Sequence, residues 1–311
     1  MTVGAHIGEI AALATSALWT ACSIFFAAAS RRIGALSVNA YRIVMAVGVL
    51  AIAHLFAFGT IVPPANESQW FYLGLSGVIG LALGDFGYFG MLALIGPRRG
   101  LLLTSLAPIF SSITAFYILG EKLSQRDITG IAITLIGITI VILEREDVQN
   151  PTFLPLRQRI YGYLCGVGGA LGQGVGLVIS KYGMIVAAGE GSPPLDPLST
   201  ALLRMLVAAA VVWLSILVFG RLKRVIASRR DRGAIKRTFA GAVTGPFLGV
   251  WLSMVAVSYA EAGVAATLMS LMPVMVIPAV WFLYRERTSW RGMLGAVIAL
   301  IGVALLFWGR S

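Results

Sequence analysis

Apolar runs of roughly membrane-spanning length follow one another along almost the whole chain, separated by short polar breaks. A helix needs about 20 mostly apolar residues to cross a bilayer. Ten runs meet or approach that length: about 7–29, 38–58, 69–93, 99–119, 127–143, 160–182, 198–218, 237–257, 263–284 and 290–308. Most breaks carry turn chemistry: TIVPPANES after the second run, IGPRRG after the third, EGSPPLDP after the sixth. The seventh is followed by RLKRVIASRRDRGAIKR, a strongly basic loop. The pattern predicts an all-α integral membrane protein of ten transmembrane helices.

The pattern is written twice. SLAPIFSSITAFYILGEKLSQR, from Ser105 to Arg126, returns as SLMPVMVIPAVWFLYRERTSWR, from Ser270 to Arg291. Gly84–Arg145 aligns with Gly249–Arg310 without a gap, matching Gly84/Gly249, Pro108/Pro273, Glu121/Glu286, Gly130/Gly295 and Gly137/Gly302. Nearer the front of each half, Arg42 in AYRIVMA answers Arg204 in LLRMLVA. The chain therefore reads as two five-helix repeats, residues 1–148 and 149–311. An odd number of spans per copy sets the second copy into the membrane upside down. Inverted repeats suit secondary transporters, in which one part rocks against another and exposes a midplane site to each side in turn.

Composition agrees with lipid as the main solvent. The chain is 58% hydrophobic and 12% charged, against about 45–50% and about 25% in soluble domains. Its net charge of +11 does not point to nucleic acid, because the bases sit in short segments between apolar runs. Of the 24 Lys and Arg residues, 18 fall in one set of alternating loops, four on the opposite side, and Arg42 and Arg204 inside spans. The positive-inside rule places the richer side in the cytoplasm and both termini outside. A reporter fused at Ser311 is thus expected to read as extracytoplasmic; a cytoplasmic signal would reverse this orientation. Cys22 and Cys165 fall within apolar runs and read as buried thiols. With only His6 and His54 and no CxxC, neither a zinc site nor any cofactor is expected.

The paired S-L-x-P, the acid–base pair after each proline helix and the G-x(6)-G of each last span resemble the EamA-type members of the drug/metabolite transporter superfamily. The resemblance covers nearly the whole chain. It implies two five-span repeats and export of amino acids or other small metabolites; more distant relatives exchange nucleotide sugars or sugar phosphates. Several relatives keep their termini in the cytoplasm, opposite to the charge count here.

Asp85, in LALGDFGYFG, is the leading candidate for chemistry. It lies deep in the third run, with no base within ten positions. An intramembrane acid costs about 2.5 kcal/mol or more and usually faces a cavity, so Asp85 would bind an amine or carry a proton, or else bridge helices by hydrogen bonds. Its register partner is Val250, so the shared scaffold does not demand the acid. Tyr88 shares its helix face. Arg42 and Arg204 would either snorkel to the interface or receive a carboxylate or phosphate. Trp19 and Gln173, in the first spans of the two halves, would touch ligand or pack, and Trp251 belongs to the matching region of the second half. Pro108 and Pro273, mid-span, would bend their helices as static kinks or hinges. Glu121 and Glu286, each beside a base, would form structural ion pairs or gates. Glu9, near the start of its run, is expected at the interface.

No GxxxxGK[ST] loop, HExxH or Ser/His/Asp arrangement is present, which argues against ATP-driven pumping and common hydrolases. The reading is a plasma-membrane transporter, in a bacterium the inner membrane, whose partners are a small-molecule substrate and the bilayer, not nucleic acid. It is not expected to be an enzyme. Monomer and homodimer both stay open. The rivals are a sugar-phosphate or nucleotide-sugar exchanger, an integral-membrane receptor, and an integral-membrane enzyme.

Overall fold

A computed structural model describes residues 6–144, 155–189, 193–275 and 290–308. Its elements are helices, with no strand among the described residues. Helices α1 (Ile7–Ile33) and α2 (Ala35–Phe58) meet at Gly34, whose φ of 80° reverses the chain without a longer linker. Helix α3 (Glu67–Ser76) starts at a capping box, in which the Asn66 side chain accepts from the Gln69 N–H at 2.7 Å and Gln69 answers at 3.0 Å. It continues through a π-helical turn, Gly77–Leu83, into α4 (Gly84–Thr104). Then come α5 (Ala107–Leu119) and α6 (Gln125–Glu144).

The second half repeats the plan. Helix α7 (Leu156–Lys181) is prolonged by a π-helical turn, Tyr182–Val186, and α8 (Pro197–Val218) leads to the short α9 (Leu222–Ser228). Helix α10 (Arg232–Ala242) runs through the π-helical turn Val243–Gly249 into α11 (Val250–Tyr259). Helix α12 (Ala262–Met269) breaks at Ser270–Leu271 and resumes to Met275, and α13 is Trp290–Trp308.

Among the described residues, eight helical stretches are long and apolar enough to cross a membrane; Ala107–Leu119 is apolar but shorter, and Ala262–Met275 is the described part of a further apolar helix. Two expectations are corrected. Helix α4 does not stop at IGPRRG but runs on to Thr104, and the fourth apolar run is helical as α5 only from Ala107. Pro108 and Pro273 do not kink continuous spans. Each sits in the first turn of a new segment, after a break at Ser105–Leu106 or Ser270–Leu271. A proline clashes with the carbonyl four residues back and cannot donate to it, whereas in a first turn its missing N–H is not needed. The two breaks match bond for bond. Leu106 N–H donates to Leu103 O at 3.1 Å and Leu271 N–H to Leu268 O at 3.3 Å.

The halves are interleaved. Helix α7 packs on α4 and α5 of the first half, while α1 packs on α10, α11 and α12 of the second. The last helices of the halves, α6 and α13, pack on each other, as do α2 and α8. The basic segment after α8 docks on the α1–α2 corner: Tyr41 Oη donates to Val225 O at 2.8 Å, and Arg32 Nε to Asp231 Oδ2 at 2.7 Å. The bond from Arg32, with the Ala234 N–H that Asp231 caps, holds the Asp231 carboxyl below its ordinary range.

Candidate functional site

Both halves carry a π-helical turn at the same place, just before Asp85 in the first and just before Val250 in the second. Such a turn widens the helix and re-aims the side chains that follow, often at a functional position. Asp85 follows the first of them. Its Oδ2 accepts a charge-assisted hydrogen bond from Arg42 Nη2 of α2. Arg42 Nε donates to Asn39 Oδ1 at 2.8 Å, and its guanidinium lies 5.5 Å from the Phe26 ring centroid and 5.6 Å from that of Phe89, within cation–π range. The pair is largely enclosed, with 15% of the Arg42 side chain and 19% of the Asp85 side chain exposed. Arg42 therefore does not snorkel; it neutralises an acid that has no base near it in sequence.

Arg204 occupies the corresponding place on α8 and is 3% exposed. Its Nη1 donates to the Met254 sulfur at 3.1 Å, its Nε has no hydrogen-bond partner, and no described carboxylate pairs with it. Snorkelling is ruled out here too. The turn Gly77–Leu83 packs closely on it: a Cβ on Gly77 would lie 2.3 Å from the Arg204 backbone O, and one on Gly80 would lie 3.4 Å from Nη2.

Trp19 and Gln173 hold equivalent positions across the two repeats. A Cβ on Gly249 would fall 2.6 Å from Trp19 Nε1, and one on Gly84 would fall 3.3 Å from Gln173 Cγ. Each thus packs on the glycine directly before Val250 or Asp85. Tyr88 is half-buried and meets Phe89 edge-on at 5.5 Å. Trp251 stacks on Phe247 at 6.2 Å.

Glu121 lies elsewhere, at the end of α5. It pairs not with the neighbouring Lys122 but with Lys181 at the end of α7, Oε1 to Nζ at 2.6 Å. Glu121 Oε2 also accepts from the Ala262 N–H at 2.8 Å, and Lys181 donates to Ala260 O at 2.7 Å. One ion pair therefore clamps two helix ends to the α11–α12 corner, across the halves. Glu286 lies outside the described residues. Glu9 is 1% exposed, not at an open interface; packing against other helices, not depth along its own, decides its burial.

The sequence missed Asn39, Phe26, Phe89 and the partnership of Lys181. Asn39 and Phe89 had a signal, standing three residues before Arg42 and four after Asp85 on the same helix faces. Phe26 and Lys181 arrive from other helices, where no spacing rule reaches. Among the described residues no group of three or more His, Cys, Asp or Glu side chains could hold a metal ion.

A family model described as the EamA-like transporter family matches residues 6–143 and 160–308. The chain belongs to the EamA-like transporter family. It is accordingly a multi-pass membrane transporter of the drug/metabolite superfamily. The two EamA-like matches fall one on each half, in step with the repeated π-helical turn and helix break. A solved structure described as "Crystal structure of protein" aligns with a TM-score of 0.75 over 97% of each chain at 18% identity, a likeness of fold. No curated protein matches the sequence.

Proposed function

We propose that this EamA-like protein is a secondary transporter that exports small polar metabolites, amino acids foremost, across the plasma membrane (the inner membrane of a bacterium). It works by alternating access between two inverted five-span repeats, residues 1–148 and 149–311, so that the shorter apolar helices complete ten spans. The observation that carries this reading is the Arg42–Asp85 ion pair, enclosed beside π-helical turns that recur in both halves. Charged groups so placed mark substrate and proton pathways. Asp85 takes an amine or a proton when the pair opens; Trp19, Gln173, Tyr88 and Trp251 border the path; Pro108 and Pro273 let the half-helices move. The Glu121–Lys181 clamp holds one face closed.

A second reading, exchange of sugar phosphates or nucleotide sugars, is favoured by one observation: Arg204 is a buried cation without a described acid. Counterflow into preloaded proteoliposomes, with labelled amino acids, polyamines and sugar phosphates, separates the two. Amino-acid uptake is expected. Uptake of sugar phosphates alone would install the second reading, and no uptake of any class by folded protein would sink both.

A further inference from the structure

The two halves differ at one point that decides the charge of the site. Arg42 lies against Phe89, and Arg204 against Met254, residues that correspond in the repeat register. One helical turn before Phe89 stands Asp85; one turn before Met254 stands Val250, which is buried. The first guanidinium therefore has a carboxylate, and the second has an apolar side chain in its place. A guanidinium stays charged in any protein environment, and a sulfur atom is a weak acceptor. A charge so enclosed is strongly destabilising without an anion.

Resting on the transport reading above, we infer that Arg204 receives the carboxylate of the substrate, and that valine at position 250 keeps this guanidinium free for it. The planar fork of Arg matches the two oxygens of a carboxylate. A phosphate monoester carries about −1.5 to −2 charges at neutral pH and calls for a second cation. The cation related by the repeat is Arg42, and Asp85 already holds it. The substrates are thus small metabolites recognised through one carboxylate. Beside Nη2 the neighbouring helices approach glycine to glycine, since a Cβ on Gly80 would lie 3.3 Å from Gly176 Cα as well as 3.4 Å from Nη2.

The test uses purified full-length protein and three probe pools: the common amino acids, the same compounds as amides, and sugar phosphates. Thermal unfolding reads binding, and counterflow reads transport. The amino acids are expected to raise Tm, with the amides at least about tenfold weaker. Val250→Asp supplies the missing carboxylate one turn from Met254. It is expected to leave the ligand-free Tm unchanged or higher and to abolish the response to amino acids. Arg204→Met should abolish the response too, and it decides the matter should Val250→Asp fail to fold. Equal responses to acids and amides, a response to sugar phosphates alone, no response to any carboxylate, or a Val250→Asp protein that still responds would each overturn the inference. A carboxylate-specific Tm shift without counterflow would uphold Arg204 and sink the transport reading; counterflow indifferent to the carboxylate would do the reverse.

Discussion

Asp85→Asn is expected to lower the unfolding temperature and to stop transport, and repairing the first loss should not repair the second. The substitution removes the negative charge but leaves the Arg42 guanidinium enclosed between Phe26 and Phe89, with Asn39 as its remaining described hydrogen-bond partner. Stranding one member of a buried ion pair costs about 3–5 kcal/mol. The ring faces offset part of that, so about 3 kcal/mol is the reasonable figure for this site. Replacing both members with apolar residues of similar size removes the stranded charge and is often close to neutral. Arg42→Met with Asp85→Leu should therefore recover most of the stability. Counterflow should stay at least about tenfold below wild type in the double variant, the effect of losing 1.4 kcal/mol or more from the transport step. The measurement is a four-cornered cycle of Tm and flux on wild type, Arg42→Met, Asp85→Leu and their double variant, with Asp85→Asn measured beside it. A double variant that transports normally would make the pair structural. An Asp85→Asn protein with unchanged Tm would mean that Arg42 does not depend on Asp85.

Much of this arrangement was legible in the chain. The repeat register placed Arg42 and Arg204 in matching positions and singled out Asp85 against Val250; the structure sets the two guanidinia against corresponding residues, Phe89 and Met254. What the sequence did not carry was partnership between helices. Arg42 and Asp85 are 43 positions apart, and spacing along one helix says which residues share a face, not which face meets another helix. Glu121 was read with Lys122 beside it, whereas the bond runs to Lys181 on a helix of the other half. The helix breaks were hidden for a different reason. Leu106, Ala107 and Leu271 are as apolar as any span, so hydropathy runs straight through them, and only the prolines mark the places. The π-helical turns have no composition of their own. Gly84 and Gly249 did stand out in the register, but the reason they match is visible only once Gln173 and Trp19 are seen lying on them.

The same logic of close approach makes Gly137→Ala the substitution expected to damage folding most. Helices α6 and α13 cross on Gly130, Gly137, Gly295 and Gly302, the G-x(6)-G of each half. A Cβ on Gly137 would lie 2.3 Å from Ala299 N and 2.6 Å from Gly295 O, and one on Gly302 would lie 2.5 Å from Thr134 N and 2.8 Å from Gly130 O. These neighbours are backbone atoms, which cannot rotate aside, so the helices must separate along the seam. In lipid the apolar surfaces gain little from meeting, and association rests on packing at short range. Alanine brings a helix-propensity gain of about 1 kcal/mol, while forcing the backbones apart costs about 1–3 kcal/mol or more, so the clash wins. Gly48→Ala, on α2, is the internal control. Nothing lies within 4 Å of its new Cβ, and the propensity gain should show as a Tm equal to or above wild type. Folded yield and Tm of the two variants, side by side, read the difference. A Gly137→Ala protein as stable as Gly48→Ala would mean that the seam is wider than these contacts make it. Loss confined to folded yield, with the surviving fraction still preferring the same substrates, would place the seam where the geometry puts it: holding the repeats together, away from the Arg42–Asp85 pair.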